Sequence, residues 1–304
     1  MDMLVGSSGF VGTNLLLKHD FDELYNSANI EGSYGRNPDL LVYAGVPAAM
    51  FLANSNPQAD MAVIANAVEN ICKINPGRLV LISTIAVLDD PIGADESVVI
   101  DKSKLPAYGF HRLHLEKLAR ETVKDCHIIR LPALFGKNLK KNFIYDYIHF
   151  FPPMLNAAKF SELSAQEPII KEHYMLETNG FYKLQDNGNH ELKAAFERAG
   201  FSALNFTDSR SVFQYYNLAK LWTDIETVIN HKITIQHMAT EPTSAGEVYA
   251  YLSGKKFSNE LSTPLKYDYR TKNADVFGGK NGYITNKQTI LQELKAFVRE
   301  ETAL

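Results

Sequence analysis

The sequence predicts an α/β fold: a doubly wound parallel sheet joined to a smaller C-terminal α/β domain. Two observations carry this. Short apolar strands alternate with amphipathic helical segments from residue 3 to residue 131, at a spacing that suits βαβ units. The first strand also runs straight into glycines spaced G-x-x-G-x-x-G and then into a helix. With 304 residues, 45% hydrophobic and 22% charged, the chain is long enough for a large core.

The elements follow in order. Residues 3–5 read as a buried strand, and Thr13 to Lys18 as the first turns of a helix. Leu24-Tyr25 can form a second strand and residues 39–44 a third, closed by Gly45-Val46-Pro47. Residues 57–74 have apolar side chains at 64, 67, 68, 71 and 74, with Pro57 at a first helical position and Asn75-Pro76-Gly77 as a stop. Arg78 to Ser83 is the next strand. Residues 106–124 form a helix with 111, 115, 118, 119 and 122 on one face, and His127 to Leu131 a further strand. Residues 155–205 are polar and irregular and read as an insertion, with a turn at Asp186-Asn187-Gly188. Regular signals return as a strand at 234–239, a helix capped by Ser244, and an amphipathic helix from Asn286 to Glu300.

Bulk properties narrow the partners. A net charge of -4 gives no basic field for nucleic acid or for an anionic membrane surface. No stretch of about 18 apolar residues occurs. Cys72 and Cys126 lack the spacing of a zinc site or a disulfide framework, so no metal is expected and a reducing cytoplasm suits the chain.

In Leu4-Val5-Gly6-Ser7-Ser8-Gly9-Phe10-Val11-Gly12, the first glycine allows a tight turn. The second lets backbone N–H groups approach a diphosphate, and the third lets helix and strand pack closely, with the helix N-terminus favouring negative charge. This pattern is expected of the cradle in a Rossmann-type dinucleotide-binding domain, the alternative being a turn in a nucleotide-free α/β domain. A ribose-binding residue is expected about 20 residues on, acidic for NAD or accompanied by arginine for NADP. Asn26 and Ser27 stand there, with Arg36 the nearest cation, so the choice between NAD and NADP stays open. Only 26 residues separate Gly12 from Asp39, too few for two strands with full crossover helices. A sheet edge trimmed beside the second strand is expected.

Two further stretches are more specific: Ile82-Ser83-Thr84-Ile85-Ala86-Val87 at a strand end and Tyr108-Gly109-Phe110-His111-Arg112 at a helix start. Here the chain resembles the extended short-chain dehydrogenases/reductases, in their branch of nucleotide-sugar epimerases, dehydratases and reductases. The resemblance covers residues 3–136 and runs more loosely to the end. It implies Thr84 and Tyr108 as the hydroxyl pair acting on a sugar oxygen, with Arg112 in the place of the usual lysine. The chemistry is consistent: a phenol transfers a proton at neutral pH when a cation stabilises its phenolate, and i+4 on the same helix is adjacent in space. Arg112, a planar fork, cannot copy every contact of a lysine. His111 reads as a packing residue or a second proton carrier. The resemblance further implies that Gly6, Ser8, Gly9, Phe10, Val11, Gly12, Asn26, Ser27, Ala44, Gly45, Val46, Tyr108, Arg112 and Leu131 line a bound NAD or NADP.

The departures narrow the reaction. Dehydratases of this branch have an acidic pair after the threonine; here Ile85-Ala86 follow, which disfavours dehydration. A 4-epimerase or a 4-keto reductase acting on a nucleotide-linked sugar is expected, with Thr84, Arg210 and Asn142 toward the substrate. The alternative is a dinucleotide-binding sensor or scaffold without turnover. Ala133 replaces an asparagine that commonly touches the substrate diphosphate, and Tyr216-Asn217 replace an acidic pair. Residues 1–136, completed by parts of 205–240, are assigned to the dinucleotide and 137–304 mainly to the substrate, with the insertion as lid, decoration or oligomer contact. The resemblance also implies a homodimer through helices 57–74 and 106–124.

Overall fold

The computed structural model describes residues 1–186, 188–261 and 263–303. Within them the chain divides into two compact units. The first comprises residues 1–139, 212–243 and 266–294, and the second residues 140–211, 244–265 and 295–304.

The first unit is built on a six-stranded parallel sheet. Its strands are β1 (Asp2–Val5), β2 (Glu23–Tyr25), β3 (Leu40–Tyr43), β4 (Arg78–Thr84), β5 (Cys126–Leu131) and the edge strand Ile235–His237. Across the sheet the order is Ile235–His237, β5, β4, β3, β1, β2. Side chains alternate between two cores, as the pleat requires. Met3, Val5, Leu41, Tyr43, Leu79 and Leu81 point to one face, against α3 (Pro57–Ile74), which follows the short α2 (Met50–Ser55), and α4 (Ala107–Thr122). Leu4, Leu40, Val42 and Val80 point to the other, where Leu15 of α1 (Phe10–Leu15) and the helix Leu221–Asn230 pack. Burial on both faces explains why the strands read as continuous apolar runs.

β2 is the sheet edge, and only the short 3₁₀ turn Ile30–Ser33 links it to β3. The trimmed edge expected from chain length is therefore present. Two details correct the reading of the helices. The first begins at Phe10, three residues earlier than its apolar pattern suggests. The buried face of α4 is Tyr108, Gly109, His111, Arg112, Leu115, Glu116 and Ala119, whereas Thr122 is exposed, so the helix turns polar side chains inward.

The second unit corrects the view of residues 155–205 as irregular. Strands Met154–Asn156, Tyr174–Leu176 and Phe181–Leu184 form an antiparallel sheet, joined by helices Ala157–Gln166 and His190–Arg198. They enclose a core of Leu155, Leu163, Ile170, Tyr174, Leu192 and Phe196. The pattern was masked because its strands are three or four residues long and one-sided. Tyr182 stacks on Phe160 with ring centres 3.7 Å apart, while Phe206 stays exposed. Of the expected turn at Asp186-Asn187-Gly188, Asn187 lies outside the described residues; the Asp186 carboxylate accepts from the Gly188 N–H at 2.8 Å. The helix Ala245–Ser253 has the expected Ser244 cap, closed into a box by Glu247, and the terminal helix spans Lys287–Thr302.

The glycine turn is fixed by close approach. Gly6 has φ +91°, and a Cβ on Gly12 would lie 2.1 Å from the Gly6 carbonyl oxygen. A Cβ on Gly9 would meet only that oxygen, at 3.3 Å. We expect Gly12→Ala to lower stability in urea unfolding by about 1–3 kcal/mol through overpacking, and Gly9→Ala to stay within about 1 kcal/mol of the parent.

Candidate active site

All six strands are parallel, so β1, β3, β4 and β5 end along one edge of the sheet, where ligands of open α/β sheets bind. The glycine turn leaves β1 there. Its Gly6 and Ser7 N–H groups donate to the Tyr25 carbonyl at 2.8 and 3.1 Å, tying the turn to the end of β2. Ser8 and Gly9 are exposed, no side chain caps α1, and no acidic residue occupies its first turn. Asn14 holds the next strand end in place: its side-chain amide donates to the Lys137 carbonyl at 2.8 Å and its oxygen accepts the Lys137 N–H at 3.0 Å. Gly136 makes room, since a Cβ there would lie 2.6 Å from that oxygen.

Around the expected ribose site no acid is present at the end of β2. Asn26 accepts from the Ala28 N–H at 2.9 Å, and its own N–H donates to the Asn29 side chain at 2.7 Å, which shapes a turn bearing the exposed Ser27. Arg36 is paired with Glu23. At the end of β3, Gly45 is exposed and Val46 rests on the core. Leu131 ends β5 and its side chain is buried in the core cluster with Leu4, Val42 and Tyr216.

Thr84 ends β4, its hydroxyl accepting from the Ala86 N–H at 3.2 Å. The same side chain bears on Tyr108, which is buried at the start of α4, and favours its phenolate. Two contacts invisible to motif reading bring them together. A Cβ on Gly109 would lie 2.2 Å from the Ala86 carbonyl oxygen, so only glycine lets α4 approach the turn after β4 this closely. Asn54 accepts from the Tyr108 N–H at 2.9 Å, satisfying a helix-terminal donor.

Arg112 lies with its guanidinium carbon 4.4 Å from the Tyr108 ring centre. It is buried, donates to Asp60 Oδ2 at 2.7 Å, and donates to the Pro47 carbonyl at 2.8 Å. His111 Nδ1 meets the same Asp60 oxygen at 2.7 Å. Burial raises the Tyr108 hydroxyl above the ordinary phenol value; Arg112 and Thr84 pull it down, and Asp60 opposes them. The net direction is upward, so the expected drop toward a neutral-pH phenolate does not occur here. Burial disfavours the Asp60 carboxylate too, but the hydrogen bonds from Arg112 and His111 win and hold it below the usual range.

Behind the strand ends lies a buried polar network that the sequence did not announce. Ser83 donates to Glu116 at 2.5 Å, and Glu116 forms a fork-to-fork pair with Arg130, 2.6 Å at its shortest. Arg130 donates to His237 Nε2 at 3.1 Å while His237 Nδ1 donates to the Arg270 carbonyl at 2.9 Å. The imidazole thus has one acceptor and one donor nitrogen and stays neutral; burial pushes it down to about 4.

The two residues placed toward a substrate belong to the second unit. Asn142 caps the helix Phe143–His149, accepting from the Ile144 and Tyr145 N–H groups at 2.9 and 3.2 Å. Arg210 forks onto the buried Asp208, reaches Glu260 at 3.0 Å and donates to the Leu261 carbonyl at 2.7 Å. Both are engaged in holding their own backbone surroundings. Asn217, in the place of an acid, caps the 3₁₀ turn Leu218–Lys220.

The fold is that of the extended short-chain dehydrogenases/reductases. A dTDP-4-dehydrorhamnose reductase from Bacillus anthracis str. Ames, in complex with NADP, superposes with a TM-score of 0.63 at 16% identity, over 98% of this chain and 97% of that one. A UDP-N-acetylglucosamine 4-epimerase from Bacillus cereus gives 0.58 at 14% identity, over 98% and 99%. An L-threonine 3-dehydrogenase from Trypanosoma brucei gives 0.60 at 13% identity, over 99% and 96%. No family model matches the sequence, and no curated protein matches it.

The buried ion pair is a point of fragility. Glu116→Ala leaves the Arg130 charge buried without compensation, and we expect it to lower unfolding stability by about 3–5 kcal/mol, measured by denaturant titration.

Proposed function

We propose that the protein is an oxidoreductase that binds a nicotinamide dinucleotide, NAD or NADP, and acts on a nucleotide-linked sugar as a 4-epimerase or a 4-keto reductase. The observation that carries this reading is the placement of Tyr108, buried at the start of α4 with the Arg112 guanidinium over its ring, beside Thr84 at the C-terminal end of β4. The glycine turn fits the dinucleotide: Gly6 and Gly12 are hemmed in by the protein's own backbone, whereas Gly9 is exposed and a Cβ there would meet only the Gly6 carbonyl oxygen, which leaves its outer side to a diphosphate. Such a cofactor, when bound, supplies or accepts hydride at the sugar carbon. Tyr108 moves the proton at the sugar oxygen, and Thr84 hydrogen-bonds to that oxygen and orients it. The turn at Asn26 and Ser27 holds the adenosine ribose in this reading, while Ala44, Gly45 and Val46 border the cofactor. The NADP bound in the Bacillus anthracis reductase and the sugar chemistry named for the reductase and epimerase structures support it.

A second reading, a dinucleotide sensor or scaffold without turnover, draws on one fact. Arg112 spends two of its donors on Asp60 and Pro47, leaving it less able to take over the ribose contacts of a lysine.

Tyr108→Phe distinguishes them. Incubated with NADH or NADPH and a panel of nucleotide-linked 4-keto sugars and 4-epimers, the parent is expected to oxidise the reduced cofactor or epimerise the sugar. The variant should lose at least a hundredfold in rate, on the order of a general acid's contribution, with dinucleotide affinity unchanged by calorimetry. Dinucleotide binding without turnover in the parent selects the sensor. A homodimer through α3 and α4 belongs to the enzymatic reading, and light scattering should return twice the chain mass.

A further inference from the structure

Asp60 sits on α3, outside every motif that the sequence offers, yet it is the counter-ion of the tyrosine site. Its carboxylate is about as buried as the groups it binds: the side chains of Asp60, His111 and Arg112 are 10%, 7% and 5% exposed. One oxygen receives both partners at 2.7 Å. Arg112 is held by that oxygen and by the Pro47 carbonyl while it lies across the Tyr108 ring. A guanidinium in this position with no counter-ion would draw the phenol toward phenolate, most strongly where water is excluded. Asp60 against it offsets part of that pull.

We propose that Asp60 is a positioning residue that keeps the proton on Tyr108 by neutralising Arg112, and so sets the site to give a proton to a carbonyl oxygen, the direction of a keto reduction. This rests on the enzymatic reading above and narrows it. In that direction a reduced nicotinamide dinucleotide is the reductant. Hydride adds to the carbonyl carbon, the C=O π pair moves to oxygen, and the oxygen takes the Tyr108 proton. The resulting phenolate regains a proton from water, and the cofactor leaves oxidised. The groups that bear on the Tyr108 hydroxyl support this: Arg112 from its own helix and Thr84 from β4 favour the phenolate, Asp60 from α3 opposes it, and burial tips the balance to the neutral phenol. His111, on the same Asp60 oxygen, shares the counter-ion.

The test needs no turnover. In full-length protein labelled with tyrosine carrying carbon-13 at Cζ, the resonance missing from Tyr108→Phe identifies Tyr108, and its shift is followed against pH without cofactor. Asp60→Asn should lower the Tyr108 midpoint by about one unit, a tenfold loss of proton affinity, and Asp60→Glu should restore it. An unchanged or raised midpoint in Asp60→Asn overturns the proposal. If Asp60→Asn does not fold, Arg112→Gln serves instead: it leaves Asp60 unopposed and should raise the midpoint, and an unmoved midpoint overturns the proposal equally. A shifted midpoint in a protein without turnover rejects the enzymatic reading alone, and turnover with no shift rejects the role of Asp60 alone.

Discussion

The close approach of α1 to the end of β1 is the constraint on which the rest of the first unit depends. Gly12 lies against the Gly6 carbonyl, nearer than any side chain would allow. This brings the first helical N–H groups to the same sheet edge at which β3, β4 and β5 end. Asn14, on that helix, then fixes both polar groups of the Lys137 peptide. One backbone contact thus aligns the glycine turn, the helix and the segment after the strand Ala133–Phe135. A second contact of the same kind, Gly109 against the Ala86 carbonyl, brings Tyr108 to Thr84. Both exploit glycine for space rather than for flexibility.

Polar side chains on the inner face of α4 give this fold its particular electrostatics. Tyr108, His111, Arg112 and Glu116 are all buried, and each finds a partner on another element: Thr84, Asp60, Asp60 with Pro47, and Arg130. Buried charges without partners would be costly, so the pairs constrain how α4 lies against α3, β4 and β5. The arginine in place of a lysine is part of this arrangement. A guanidinium offers enough donors to serve a carboxylate and a carbonyl at once, where an ammonium on a flexible stem would not hold that planar geometry.

Much of the first unit was legible because it depends on local rules. Strand period, the Pro57 start, the glycine spacing and the shortage of residues before Asp39 each act within a few tens of residues, and the trimmed sheet edge follows from counting. The second unit was less legible, since strands of three or four residues carry too little periodicity and their core forms only when Leu155, Tyr174 and Phe196 meet. Asn142 and Arg210 show the opposite difficulty. Their residue types suit a phosphate, yet Asn142 caps a helix and Arg210 is held by Asp208, Glu260 and Leu261.

The sequence by itself determined the parallel α/β architecture, the glycine turn and the identity of the residues at 84, 108 and 112, because these rest on spacing along one chain. Only the tertiary structure decided what Arg112 does. Its guanidinium is paired with Asp60, 52 residues away, and the pull on Tyr108 depends on burial and on partners from α3 and β4. Charge interactions in a water-poor interior are governed by distance in space, which no local pattern of residues encodes.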